Sequence, residues 1–122
     1  MKSLFVLLGF VFALATPAFA QTATPQNKFQ WTEVGQSVAI AGGAIYNLYD
    51  GTNPTPLVLT GLICGIGSPI TDAVCTANIP ALTLGVHTVT LTQVISGAES
   101  SKSAGLSFTF VIVVTPTSFV VK

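Results

Sequence analysis

The sequence has very few charged side chains and contains no arginine. Only 7% of its 122 residues are charged, and four lysines stand against four acidic residues. Nucleic-acid binding needs clustered Lys and Arg to neutralise phosphates, so this composition excludes a nucleic-acid binder. Half of the residues are apolar, which excludes an intrinsically disordered chain. At this length we expect a single folded domain.

Catalytic residue types are equally scarce. Histidine occurs once, at His87, and the chain has no Gly-x-Ser-x-Gly motif that would mark a serine hydrolase. No two carboxylates are placed by the sequence as a facing pair, and one histidine without a dense acidic run matches no metal-ligand spacing. We therefore expect no enzyme activity, no catalytic residue, no cofactor and no metal, and we interpret His87 as structural. The carboxylates after residue 20 are Glu33, Asp50, Asp72 and Glu99.

The first twenty residues predict a secretory signal peptide. Lys2 supplies a short positive region, an apolar stretch of about 12 residues follows, and Ala18-Phe19-Ala20 is the small-x-small pattern of a cleavage site. The stretch is shorter than the roughly 20 residues that span a bilayer. We expect cleavage between Ala20 and Gln21, no membrane span afterwards, and a periplasmic, cell-surface or extracellular location.

The rest of the chain has the pattern of an all-β protein. Short runs rich in Val, Ile, Thr, Tyr and Phe alternate with clusters of Gly, Pro, Asn and Ser, and no stretch has helical spacing over three turns. Regular spacing of such runs is typical of an antiparallel β-sandwich. Strands are predicted near residues 28–34, 43–49, 57–64, 73–79, 86–95 and 105–114.

Two of these strands differ in pattern. In 86–95, Val89 and Leu91 alternate with threonines, so one face is expected in a core and the other, with Thr88, Thr90 and Thr92, in water. The strand at 105–114 ends in four consecutive apolar residues. A continuous run implies cover on both faces, from the domain itself or from a partner chain.

The aromatic residues have two interpretations. Tyr46 and Tyr49 are three positions apart, so on a strand they face opposite sides. One of them is expected to pack with Trp31 in the core. The other would stay on the surface, where an amphipathic ring suits a carbohydrate ligand.

Cys64 and Cys75 are the only cysteines, and a secreted chain makes a disulfide their default state. Closing a loop of about 12 residues is worth about 3 kcal/mol in the chain-entropy account. A redox-active dithiol is the rival interpretation, but the Cys-x-x-Cys spacing that lowers a thiol pKa is absent. We expect a structural disulfide.

Several core and turn motifs between residues 28 and 114 occur in a familiar order. They are Phe29-x-Trp31, Tyr46-Asn47-Leu48-Tyr49, Leu82-Thr83-Leu84-Gly85-Val86-His87 followed by Val89 and Leu91, and Gly97-Ala98-Glu99-Ser100 with Ser103. This order resembles a fibronectin type III-like (immunoglobulin-like) β-sandwich, particularly its small secreted bacterial versions. The resemblance implies a sandwich of six to seven antiparallel strands over residues 28–122. It also implies a structural core that includes Trp31, Tyr46, Leu82, His87, Val89 and Leu91.

The chain departs from that family in two places. His87 stands where the family usually has the corner tyrosine of strand F, so the tyrosine-corner hydrogen bond must be replaced or lost. Residues 21–27 form a polar N-terminal arm in which strand A is hard to find. The sandwich is therefore expected to have an open edge or to borrow a strand.

These observations favour a secreted, non-catalytic module with a binding or structural role. Its expected partner is a protein or a glycan, met by turns at one end of the sandwich or by an unpaired sheet edge. The alternative is a self-assembling subunit of an extracellular filament or surface layer, built by strand addition at an open edge. In that alternative, deletion of residues 21–27 is expected to abolish assembly.

Overall fold

The computed structural model describes residues 8–10, 21–113, 118 and 120–122. Within these residues the chain is mostly β, with one short helix, α1 (Val38–Gly43). The strands in chain order are β1 (Leu8–Phe10), β2 (Gln21–Ala23), β3 (Lys28–Glu33), β4 (Ile45–Asp50), β5 (Leu57–Val58), β6 (Ile63–Ile66), β7 (Ala73–Asn78), β8 (Gly85–Ile95), β9 (Ala98–Glu99) and β10 (Leu106–Phe110). Apart from β1, the predicted signal peptide lies outside the described residues, and so does Ala20 of the predicted cleavage site.

The strands form two sheets in a sandwich-like arrangement. A four-stranded sheet has the order β1-β3-β7-β6, and each of its neighbouring pairs is antiparallel. A six-stranded sheet has the order β2-β10-β8-β4-β5, with β9 paired to β8. Its pairs are antiparallel except for β2, which runs parallel to β10. The described part of the chain thus has more strands than the six to seven predicted.

The core lies between the two sheets and is built mainly from alternate residues of β3, β4, β7, β8 and β10. Two aromatic contacts join β3 to the opposite sheet: Trp31 and Tyr46 have ring centroids 4.8 Å apart, and Phe29 and Phe108 have centroids 5.9 Å apart. The period-2 pattern of residues 86–95 therefore predicted the inward face of β8. The largest fully buried apolar side chains are Trp31, Tyr46, Phe29, Leu48, Leu91 and Val89.

The predicted strand at 57–64 is wrong, because it is two strands in different sheets. β5 pairs with β4, whereas β6 pairs with β7. Between them the chain crosses from one sheet to the other, where Leu59 N donates to the Tyr46 carbonyl and Asn78 N donates to the Thr60 carbonyl. Gly61 follows with a φ of +68°, a conformation that a side chain disfavours, and it ends the extended run.

A short helix precedes β4, so this strand begins at Ile45 rather than at residue 43. The side chain of Ser37 caps α1 by accepting a hydrogen bond from the Ile40 backbone N–H. With six residues the helix is too short to show helical spacing over three turns, so the sequence pattern does not predict it.

The two ends of the folded unit also differ from expectation. Within the polar arm, Gln21–Ala23 forms β2, so the N-terminal strand that was hard to find does exist as a short edge strand. At the other end, the strand predicted to reach residue 114 stops at Phe110. Ile112 and Val113 are exposed, so the domain itself does not cover both faces of the apolar run at these two residues. Cover by a partner chain stays a prediction. Val114 lies outside the described residues.

Candidate functional site

The outer edge of β3 is the feature of the fold with the clearest capacity to bind another chain. One side of β3 pairs with β7 from Lys28 to Glu33. The other side pairs with β1, in the antiparallel register Leu8↔Glu33, Gly9↔Thr32 and Phe10↔Trp31. The strand that covers this edge therefore comes from the segment that the sequence predicts to be cleaved.

A groove opens beside this edge, between the two sheets. Its volume is about 350 Å³, and it lies where β2 and β10 approach the start of β3. Phe29, Ile79, Leu106 and Phe108 contribute apolar lining, and Lys28 lies at the same groove. An extended segment along the β3 edge would pass this groove and have an apolar surface for alternate side chains.

The other described sheet edges carry features that discourage pairing with a further strand. β5 has two residues between Pro54-Thr55-Pro56 and a turn, and β2 has three residues followed by Thr24 and Pro25. β6 contains Gly65 and is tied to β7 by a disulfide, and α1 packs near it. β3 has six residues and contains neither proline nor glycine. Among these edges it is therefore the one best suited to accept a strand.

Glu33 is an unexpected buried carboxyl at the end of β3. Its side chain is fully buried, and Oε2 accepts a hydrogen bond from Trp31 Nε1 at 3.2 Å. Oε1 has no hydrogen-bond partner among the described residues. Burial raises the pKa of Glu33 to about 8, so the carboxyl is neutral at pH 7.

The neighbouring polar groups of this interior are satisfied by one another. The Tyr46 hydroxyl donates to the Ala41 carbonyl at 3.0 Å and accepts from Gln93 Nε2 at 3.0 Å. Gln93 also exchanges side-chain hydrogen bonds with Gln36. These bonds tie α1 and the segment before it to β4 and β8.

His87 is held by acceptors on both sides of its ring. Nδ1 lies 2.9 Å from Asp50 Oδ2, and Nε2 lies 2.6 Å from the Thr83 carbonyl oxygen. A ring whose two nitrogens both face acceptors is best satisfied when both carry protons. The bond to the Thr83 carbonyl, helped by Asp50, raises the pKa of His87 against the opposing effect of burial.

His87 Nε2 thus reaches back four residues to a backbone carbonyl. It also makes a poor general base, because Nε2 is engaged at 2.6 Å by the carbonyl and Thr83 Oγ1 is farther away, at 3.4 Å.

Tyr49 lies on the outer face of the six-stranded sheet, in a polar cluster around Glu99. Glu99 Oε2 accepts from the Tyr49 hydroxyl at 2.6 Å and from Thr92 Oγ1 at 2.5 Å. These bonds lower the pKa of Glu99, Thr92 contributing most. Lys102 Nζ stands 4.3 Å from the centroid of the Tyr49 ring. The ring face is thus partly covered, and Thr92 is buried, not solvated as the threonine ladder predicted.

The other residues singled out in the sequence lie away from the β3 edge. Cys64 and Cys75 form a disulfide between directly opposed positions of β6 and β7, as predicted. Asp72 accepts a hydrogen bond from the Gly35 backbone N–H at 2.9 Å, which ties the loop after β3 to the loop before β7. Leu82 is partly buried against the core, whereas His87 is buried.

Two features of the β3 region were missed by sequence reasoning. Phe29, Trp31 and Glu33 alternate along one face of β3, so the period-2 pattern carried a signal that Glu33 points inward. The pairing of β1 with β3 left no such signal, because an apolar stretch of that kind is typical of a signal peptide whatever it contacts.

Comparison with known proteins adds no family assignment. No protein-family model matches the chain, and no curated protein matches it. Among the residues that the structure describes, no group of three His, Cys, Asp or Glu side chains could hold a metal ion. Over the same residues, no helix has the length and hydropathy required to cross a bilayer.

Proposed function

We propose that this chain is a secreted, non-catalytic immunoglobulin-like (fibronectin type III-like) β-sandwich module that binds a protein partner by strand addition at the β3 edge. The observation that carries the proposal is the antiparallel pairing of β1 with β3. If the signal peptide is cleaved after Ala20, β1 leaves and Trp31–Glu33 of the six-residue strand β3 lose their partner, while a partly apolar groove lies at the start of the same strand. Main-chain hydrogen bonds at such an edge supply affinity, and the groove supplies side-chain specificity.

The strand orders support the fold family. β3-β7-β6 corresponds to strands B-E-D of an immunoglobulin-like sandwich, and β10-β8-β4 corresponds to G-F-C. The corner bond of His87 supports the same assignment. The disulfide departs from the family pattern, since it joins neighbouring strands of one sheet rather than the two sheets.

Three observations support the remaining parts of the proposal. The Cys64–Cys75 disulfide fits an oxidising compartment, as the predicted signal peptide requires. The engagement of both His87 nitrogens argues against acid–base catalysis. The cover of the Tyr49 ring by Lys102 favours a protein partner over a glycan that stacks on this ring.

The test uses the leader segment as a probe. The full gene is expressed in a secreting host, the processed product is identified by intact mass, and a lysine-flanked peptide of residues 6–14 is titrated into it by calorimetry. We expect saturable 1:1 binding.

Two backbone-methylated peptides serve as controls. In an antiparallel pair, successive N–H groups point to opposite edges of a strand. Methylation at Gly9 alone, or at Leu8 and Phe10 together, therefore blocks opposite edges of the peptide, and we expect one of the two to lose binding at least tenfold while the other keeps it. No binding, or an equal effect of both methylations, would contradict strand addition.

A second function, the self-assembling subunit, is favoured by a separate observation. Of the apolar residues that follow β10, Ile112, Val113, Val120 and Val121 are exposed, which leaves this chain with both an acceptor edge and an apolar extension. The N-terminal arm is less suited to be the donor, because Gln21–Ala23 is already paired with β10.

A further inference from the structure

We infer that the strand added at the β3 edge is the C-terminal segment of a second copy of this chain, so that copies assemble head to tail. This inference rests on the proposed function, because it requires the β3 edge to accept a strand. Head-to-tail contacts of this kind form rings when the rotation closes and open filaments when it does not.

The segment after β10 has the properties of a donor strand. Val111-Ile112-Val113-Val114 is a β-branched run, and these are residue types that favour strands. Lys122 is the one charged residue in this segment, so charge does little to oppose pairing. The described large apolar side chains beyond Val111 are exposed: Ile112 by 55%, Val113 by 71%, Val120 by 66% and Val121 by 99%.

The segment is also long enough to reach a neighbouring copy. Twelve residues follow Phe110, and at about 3.3 Å per residue they span roughly 40 Å when extended. Pairing along the six residues of β3 needs about 20 Å on the same scale. The segment is therefore long enough to pair along the whole of β3.

The direction of β10 favours a second copy over the chain's own β3. β10 runs parallel to β2, and at the end of β2 the chain reverses through a turn in which Asn27 N donates to the Thr24 carbonyl. Val111 N donates to the Ala23 carbonyl, so Val111 lies beside this turn. A segment that continued straight from Val111 would move away from its own fold.

Folding back would give the wrong strand orientation. To reach its own β3, the segment would have to reverse as residues 24–27 do, and it would then run parallel to β3. The slot that β1 fills is antiparallel. A segment from another copy can enter in that antiparallel orientation, in which the hydrogen bonds run perpendicular to the strands and the pairing is slightly more stable per residue than in a parallel pair.

The first experiment measures the mass of the secreted product by size-exclusion chromatography with light scattering, over a hundredfold range of concentration. We expect assembly that increases with concentration. The double variant Ile112→Asp, Val113→Asp should raise the concentration needed for half-assembly at least tenfold, because charged residues oppose strand pairing. Val86→Asp is the matched control, since Val86 is an equally exposed valine at the start of β8, and it should assemble like the wild type.

Three results of this experiment would overturn the inference. They are a wild-type monomer at every concentration, unchanged assembly of the double variant, and an equal loss of assembly in Val86→Asp. Circular dichroism on each variant verifies that the β-sandwich is retained.

A second experiment separates failure of this inference from failure of the proposed function. The double variant, a full chain with a disabled C-terminal segment, receives either the peptide of residues 6–14 or a lysine-flanked peptide of residues 110–121. Binding of both peptides in competition supports the inference. Binding of the first alone overturns the inference and leaves the proposed function standing, whereas binding of neither overturns both.

Discussion

Replacing Glu33 by glutamine should remove much of the pH dependence of stability between about pH 5 and pH 7.5. Glu33 is fully buried, and burial raises its pKa from 4.5 to about 8. The unfolded chain therefore releases this proton near pH 4.5, whereas the folded chain keeps it until about pH 8. Because the unfolded state binds fewer protons in this window, the wild-type free energy of unfolding falls as the pH rises and levels off above pH 8.

The size of the effect follows from the shift in pKa. One pKa unit corresponds to about 1.4 kcal/mol, so the wild type should lose about 3 kcal/mol of stability from Glu33 between pH 5 and pH 7.5. Glu33→Gln has no proton to lose at this position. Groups such as His87 titrate in both proteins, so the difference between the two pH profiles isolates Glu33.

Urea unfolding followed by the fluorescence of the single tryptophan, Trp31, at a series of pH values measures this difference. Glu99→Gln is the matched control, because Glu99 is an exposed carboxyl whose pKa is lowered instead of raised. The contribution of Glu99 to the free energy of unfolding is lost only below the ordinary pKa of a glutamate, so it stays constant between pH 5 and pH 7.5. Parallel profiles for wild type and Glu33→Gln would refute a neutral, buried Glu33.

Three further changes test the framework around the candidate edge. Asp50→Asn should lower the pKa of His87 in a proton NMR titration, and it should lower the free energy of unfolding by about 1 kcal/mol at acid pH. The stabilisation from the charged His87 ring is complete below pH 6.5 and is lost as the pH rises through the raised pKa. An unchanged His87 titration would contradict the ion pair. Replacing Cys64 and Cys75 by alanine should lower the free energy of unfolding by about 3 kcal/mol in urea titrations without reductant, and equal stability would refute a structural disulfide. Gly61→Ala should lower the melting temperature, because Gly61 has a positive φ and an added Cβ would meet the side chain of Asn78. An unchanged melting temperature would contradict this backbone geometry at the crossing between the two sheets.

The inward face of β8 could be predicted because alternation has a physical cause. Val89 and Leu91 lie in the core because period-2 spacing places them on one side of the strand. The disulfide was also predictable, since two cysteines in a chain with a predicted signal peptide have one partner each. The alternation can be read from neighbouring residues, and the disulfide follows from the number of cysteines.

Longer-range arrangements left weaker signals. The apolar run at 57–64 reads as one strand because Leu57 to Cys64 contains no proline, and only Gly61 marks the crossing between sheets. The pairing partner of His87 was not predictable, because Asp50 is 37 residues away and meets it through the β4–β8 register. The burial of Thr92 also depends on strand pairing, because β9 pairs with β8 and places Glu99 where it accepts a hydrogen bond from Thr92.

Hydrogen exchange of the β3 amides in the secreted product tests the strand-acceptor edge most directly. With the peptide of residues 6–14 at saturation, the account predicts that amide exchange slows at least tenfold within Trp31–Glu33, the residues that pair with β1. The edge strands β5 and β6 should keep their exchange rates. Protection that is absent from Trp31–Glu33, or that appears at β5 or β6 instead, would contradict an acceptor edge at β3.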